Sequence, residues 1–122
     1  NCSLLNHFPN SNLESNQASI YFYHYMCKIE YSGDTRYFMI IGHVEVSSGN
    51  NKEIEIAAFK NDILIPGSIS MVITGSGGKT STIPGMAITS LSNGDIVDIK
   101  VNNNTDTTDI TVSALNVIMK GI

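Results

Sequence analysis

Three histidines, a scatter of aspartates and one glycine-rich run are the residues of this chain whose types suit chemistry. His7, His24 and His43 stand far apart in sequence. An imidazole acts as general base only with a nucleophile and an orienting group within hydrogen-bond reach. His24 and His43 both fall in strand-like runs and are possible neighbours. No Ser, Cys or carboxylate is placed by spacing to complete a triad, so all three read as edge or interface histidines. Gly75-Ser76-Gly77-Gly78-Lys79-Thr80 is superficially like a phosphate-cradling loop. It lacks the four-residue gap after the first Gly and the helix that should follow, and reads as a hairpin tip. Asp95, Asp98, Asp106 and Asp109, with Asn102, Asn103 and Asn104, offer the oxygens that calcium takes. Their spacing matches no EF-hand loop, and solvated turns with a polar strand face account for them. Cys2 and Cys27 lack CxxC or Cys/His zinc spacing. They admit one disulfide or two free thiols, and Cys27 sits where a cysteine behaves as a small hydrophobe. Asn1-Cys2-Ser3 and Asn103-Asn104-Thr105 are glycosylation triplets that matter only on a secretory route. No catalytic residue, cofactor or metal is assigned, and the chain reads as a non-enzyme.

The elements around these residues are strands. The chain has 122 residues, enough for one domain with a single core. Seven basic against eleven acidic residues give net charge −4, and no basic run exists. That argues against a nucleic-acid binder, whose affinity comes from clustered Lys and Arg. No apolar run is long enough to span a membrane as a helix. The chain opens on Asn1 without a methionine, which reads as processing or as a piece of something longer. Residues 1–19 have little periodicity and read as an irregular lead-in or linker. Residues 20–122 read as one β-sandwich.

Ile20 to Tyr31 is aromatic and β-branched on both faces, with Tyr21, Tyr23 and Tyr25 sharing one of them. Arg36 to Ser47 places Phe38, Ile40, Val44 and Val46 on one face and Tyr37, Met39 and Ile41 on the other. Glu53 to Lys60 alternates with Ile54, Ile56 and Ala58 inward. Asn61-Asp62 turns the chain into Ile63-Leu64-Ile65, and Ser68 to Thr74 follows. Thr80 to Leu91 leads into Asn93-Gly94, where the alternation on both sides predicts a two-residue hairpin. Val97, Ile99 and Val101 then face a core. Ile110, Val112 and Ala114 share a face in the last strand, and the pattern shifts to Leu115, Val117 and Met119, which suggests a bulge. About eight or nine short strands with turn signals every 8–12 residues predict an all-β antiparallel sandwich or barrel.

The stretch from about Met26 to Met119 resembles a known pattern. Gly33-Asp34-Thr35-Arg36-Tyr37-Phe38, Val44 to Ile54, Ala58-Phe59-Lys60-Asn61-Asp62-Ile63-Leu64-Ile65, Leu91 to Ile99 and Val101 to Val112 look like strands of jelly-roll domains in bacteriophage fibre and capsid-surface proteins. Those domains are similar to the tumour-necrosis-factor and complement globular-head fold. The resemblance implies a jelly-roll β-sandwich, tight homotrimers, a virion or otherwise extracellular setting and a structural role on a fibre or capsid. Asp62 departs from the glycine usual in this pattern, though Asp also tolerates tight turns.

Two sets of candidate residues follow. A sandwich buries one face of each sheet, so Tyr37, Met39 and Ile41 need a second cover, extended by Tyr21, Tyr23 and Tyr25 if that run pairs nearby. The cover is another copy of the chain, or the lead-in residues Leu4, Leu5 and Phe8. The alternative function, a receptor- or glycan-binding head for host attachment, places recognition on three loops: Ser48, Gly49, Asn50 and Asn51; Gly75, Ser76, Gly77, Gly78 and Lys79; Asn102, Asn103, Asn104, Thr105, Asp106 and Thr107. Other virion proteins would attach through the N-terminal segment.

Overall fold

The computed structural model describes residues 7–8, 24–77 and 79–122, with side chains from residue 28 onward. Expectations placed on Cys2, the lead-in apolar residues, Tyr21, Tyr23 and Gly78 lie outside the described residues, as do the side chains of His7, Phe8, His24, Tyr25 and Cys27.

The described residues form nine strands and no helix: β1 (His7–Phe8), β2 (His24–Glu30), β3 (Arg36–Ser47), β4 (Glu53–Lys60), β5 (Ile63–Leu64), β6 (Ser70–Ile73), β7 (Ser81–Leu91), β8 (Ile96–Asn103) and β9 (Ile110–Gly121). One sheet runs β1-β9-β3-β7; the other runs β2-β8-β4-β5, with β6 also paired to β4. Every pairing is antiparallel. His7 and Phe8, expected within an irregular lead-in, pair with Thr111 and Ile110. The protein is an antiparallel β-sandwich.

Period-two alternation builds the core. Phe38, Ile40, Val44 and Val46 of β3 are buried against Ile54, Ile56 and Ala58 of β4 and Val97, Ile99 and Val101 of β8. Ile83, Ala87 and Leu91 of β7 and Ile110 and Val112 of β9 complete it. The shift expected in the last strand is a bulge. Glu45 pairs with Ala114 and Val46 with Val112, so Ser113 is the extra residue. After it, Leu115, Val117 and Met119 take over the inward positions and pack on the core. Gly42 lies at the closest approach of β3 to β9: a Cβ there would collide with the Asn116 carbonyl.

The Asn93-Gly94 hairpin is corrected. β7 belongs to one sheet and β8 to the other, so Ser92 to Asp95 carries the chain between layers rather than joining neighbours. Alternation places residues inward or outward, but a strand facing the core from the opposite sheet alternates identically. The turn itself is tight: Asp95 N–H donates to the Ser92 carbonyl at 3.0 Å, and Gly94 sits at φ +90°. Such a φ at the third turn position favours glycine or asparagine. The Asp95 carboxylate accepts Ser92 N–H at 2.8 Å and the Asn61 amide at 3.0 Å, bonds that hold its pKa below the usual value. The two-residue hairpin is instead Asn61-Asp62, joining β4 to β5, with φ of 49° and 66°.

Nothing lies within 4 Å of a Cβ added at Gly94, so substitution there tests backbone strain alone. Gly94→Val should lower stability by roughly 1–3 kcal/mol, more than an ordinary surface change, as read by thermal or urea unfolding.

Candidate functional site

The described residues whose types suit chemistry are dispersed by the fold. Asp95 lies with Asn61 and Lys60 at one end of the sandwich, and Asp106 with Lys52 at the other. Among the described residues no three His, Cys, Asp or Glu side chains come together as metal ligands. Lys79 precedes strand β7, not a helix. His43 lies on β3, where its Nε2 meets the Asn116 amide at 3.3 Å. A hollow of about 40 Å³ lies between the sheets where Gly42 faces Gly85. Its walls are mostly apolar, and the Ser68 hydroxyl there is bonded to the Ala58 backbone. Asp98 is buried at 2 % exposure, its Oδ1 has no hydrogen-bond partner among the described residues, and burial raises its pKa.

Of the three expected binding loops, one is a structural knot. Ser48, Asn102 and Asn103, expected in exposed loops, are buried at 3 %, 3 % and 4 % exposure. Asn103 Oδ1 accepts the N–H groups of Thr105 and Asp106, and its amide donates to the Thr108 carbonyl and Asp106. Ser48 donates to the Asp109 carbonyl at 2.7 Å. An asparagine that folds a loop around its own side chain is not free for a ligand, and its buried amide is closed to glycosylation in the folded chain. Asn104 donates to both Glu53 and Glu55. The tip residues Thr105 and Thr107 remain exposed. The other two loops are open: Gly49, Asn50, Asn51, Gly75, Ser76, Gly77 and Lys79 are all exposed. Gly77 N–H donates to Asn50 Oδ1 at 2.9 Å, which joins these loops at one end.

The strongest candidate site is the outer face of the four-stranded sheet. β3 runs between β7 and β9, so its outward residues sit in rows with theirs. Met39 pairs with Ile88 and Lys120, Ile41 with Met86 and Ile118, and His43 with Pro84 and Asn116. Directly opposed side chains have Cβ atoms about 4.5–5.5 Å apart, so the apolar rows are contiguous. Tyr37 is 61 % exposed, Ile41 42 %, Met86 55 %, Ile88 51 % and Ile118 67 %. Met39 is half-buried among them. Ile122 is exposed at the same end, its N–H donating to the Tyr37 carbonyl. The face turns polar at His43 and Glu45. Tyr37, Met39 and Ile41 therefore share one open face, as their spacing indicated. Met86, Ile88 and Ile118 were missed, although the outward parity of β7 and of β9 beyond its bulge carries the signal.

No family model matches the chain, and no curated protein matches it. Among solved structures it is similar to a chain described as the EclA C-terminal domain, a sugar-binding protein, at 11 % identity and a TM-score of 0.46. The likeness covers 79 % of this chain and 68 % of that one.

The knot gives a pH dependence with a definite sign. Burial acts to raise the Asp106 pKa, but hydrogen bonds from Lys52 and Thr108 outweigh it and lower it from 3.8 to about 2. A carboxylate depressed on folding stabilises the protein above its unfolded pKa, and that stability is lost as pH falls through the folded value. Asp106→Asn should lower the melting temperature at pH 7 and shrink its decline between pH 3.8 and about 2. An unchanged decline in the variant would remove Asp106 from the acid response.

Proposed function

We propose that this chain is a non-enzymatic homotrimeric head domain, borne on a phage or virus fibre or capsid surface. The open apolar face of β3, β7 and β9 carries the reading. Six large side chains there stand exposed: Tyr37, Ile41, Met86, Ile88, Ile118 and Ile122. Contiguous exposed apolar surface marks an interaction site. Completing their burial contributes roughly half of the 1.5–3 kcal/mol that full burial is worth apiece, so about 5–9 kcal/mol per copy. That is comparable with the loss of translational and rotational freedom on association, roughly 4–15 kcal/mol. The strand orders of the two sheets support the jelly-roll form of the sandwich. The number three, the tumour-necrosis-factor-like form and the virion setting rest on the resemblance carried by Gly33 to Phe38, Ala58 to Ile65 and Leu91 to Ile99. Attachment to other virion proteins is assigned to the N-terminal segment.

Light scattering coupled to gel filtration tests the assembly. The chain should elute at three times its own mass. Tyr37→Lys with Ile41→Lys should yield a folded monomer, because repeated charges would be buried without partners. A wild-type monomer at micromolar concentration would overturn the proposal.

A second reading, recognition of a host-surface glycan or receptor, is favoured by the two open loops that Gly77 and Asn50 join. Loops at the end of a rigid scaffold are where binding residues concentrate. Replacing Gly49, Asn50, Asn51, Ser76 and Lys79 by Gly and Ser should then abolish adsorption of the head to host cells. Undiminished adsorption would leave the head purely structural.

A further inference from the structure

The turn between β7 and β8 joins Asn93 to Gly94, and no other asparagine of this chain is followed by glycine. An asparagine side chain and the next backbone nitrogen are the two halves of a spontaneous reaction. The deprotonated nitrogen attacks the side-chain carbonyl carbon. The new C–N bond closes a five-membered imide, and the side-chain nitrogen leaves as ammonia. Water then opens the imide at one of its two carbonyls. The net change is one water taken up and one ammonia lost, which leaves an aspartyl or isoaspartyl residue. Glycine hinders the attack least, because it has no Cβ. Asn93 and Gly94 are both exposed, so water and hydroxide reach them.

The fold restrains both reacting groups. The Gly94 N–H, which carries the nucleophile, donates to the Tyr31 carbonyl at 2.8 Å. Attack requires that bond to break. The Asn93 side-chain oxygen accepts the Gly33 N–H at 3.0 Å, which holds the electrophile against the same loop. That loop is itself anchored. Tyr31 N–H donates to the Asp95 carbonyl at 2.9 Å, and its hydroxyl donates to the Asp34 carbonyl at 2.7 Å. Its ring meets buried Phe38 edge-on, with centroids 4.9 Å apart. The Thr35 and Ser92 hydroxyls, 2.8 Å apart, tie the two segments once more.

We propose that Asn93 is a modification site, deamidated through attack by Gly94 when the loop of residues 31–35 separates from the turn of residues 92–95. The reaction thereby records local opening at this end of the sandwich. It also makes the opening permanent. An isoaspartyl link adds one atom to the main chain, inside a short turn that has to cross between sheets. Either product places a new carboxylate two residues from the carboxylate of Asp95, and like charges so close repel.

Mass spectrometry of digests reads the conversion. The folded chain is incubated in neutral buffer beside the same chain unfolded in guanidinium chloride at the same pH. The unfolded chain should convert at Asn93 before any other asparagine. The folded chain should convert there slower by roughly tenfold or more, because the rate follows the population of the open turn. Thr35→Ala and Tyr31→Ala should each speed the folded-state conversion and leave the unfolded rate unchanged. Equal rates in the folded and unfolded wild type overturn the restraint. No conversion at Asn93 in the unfolded chain overturns the site itself. A folded-state rate unchanged by Thr35→Ala and Tyr31→Ala overturns the role of the loop. Melting curves establish that each variant is folded; if Tyr31→Ala is not, Tyr31→Phe, which loses only the hydroxyl bond to Asp34, takes its place.

Discussion

Strand β3 is apolar on both sides along its first half, and a two-layer sandwich has a place for only one of those sides. Its inward residues Phe38, Ile40, Val44 and Val46 are buried at 8 %, 3 %, 0 % and 0 % exposure. They could not be exchanged for the outward set, because a one-residue slip turns every side chain of a strand to the other face. The full-length pairings to β7 and β9 hold the strand in register from both edges. The Ser113 bulge keeps β9 in step, passing the inward positions from Val112 to Leu115. Fixing the core therefore fixes an apolar outer face on the domain.

The ends of the sandwich solve a different problem. Among the described residues, five connections, after β2, β3, β6, β7 and β8, cross between the sheets. Such crossings leave backbone groups without a ladder partner, and short polar side chains supply one. At one end Gly94 N–H donates to the Tyr31 carbonyl and Gly33 N–H to Asn93 Oδ1. At the other, Asn103, Ser48 and Asp106 do the same work within a few residues of each other. Asn93, Asn103 and Ser48 are polar residues that these crossings use. A loop rich in polar residues is thus no evidence by itself of a binding loop. Exposure separates the knotted loop at Asn102 to Thr107 from the open ones near Asn50 and Gly77.

The sequence by itself determined the strand class and the inward set of each long strand, since period-two alternation follows from the geometry of an extended chain. It also placed Tyr37, Met39 and Ile41 together on the outward face, and marked the bulge in β9, because both are breaks in the pattern of an ordinary half-buried strand. Tertiary structure decided which strands are neighbours. Asn93-Gly94 has the residues of a hairpin, yet its flanking strands lie in different sheets, and a strand in either layer presents the same pattern to a shared core. Partnership also decided how large the apolar face is. Met86 and Ile88 on β7 and Ile118 on β9 become one surface with Ile41 only because both strands flank β3, a relation between residues more than forty positions apart that no local pattern carries. The same holds for Asn103: its sequence permits an exposed turn, and the burial of its amide comes from Ser48 and Thr108 closing over it in the folded chain.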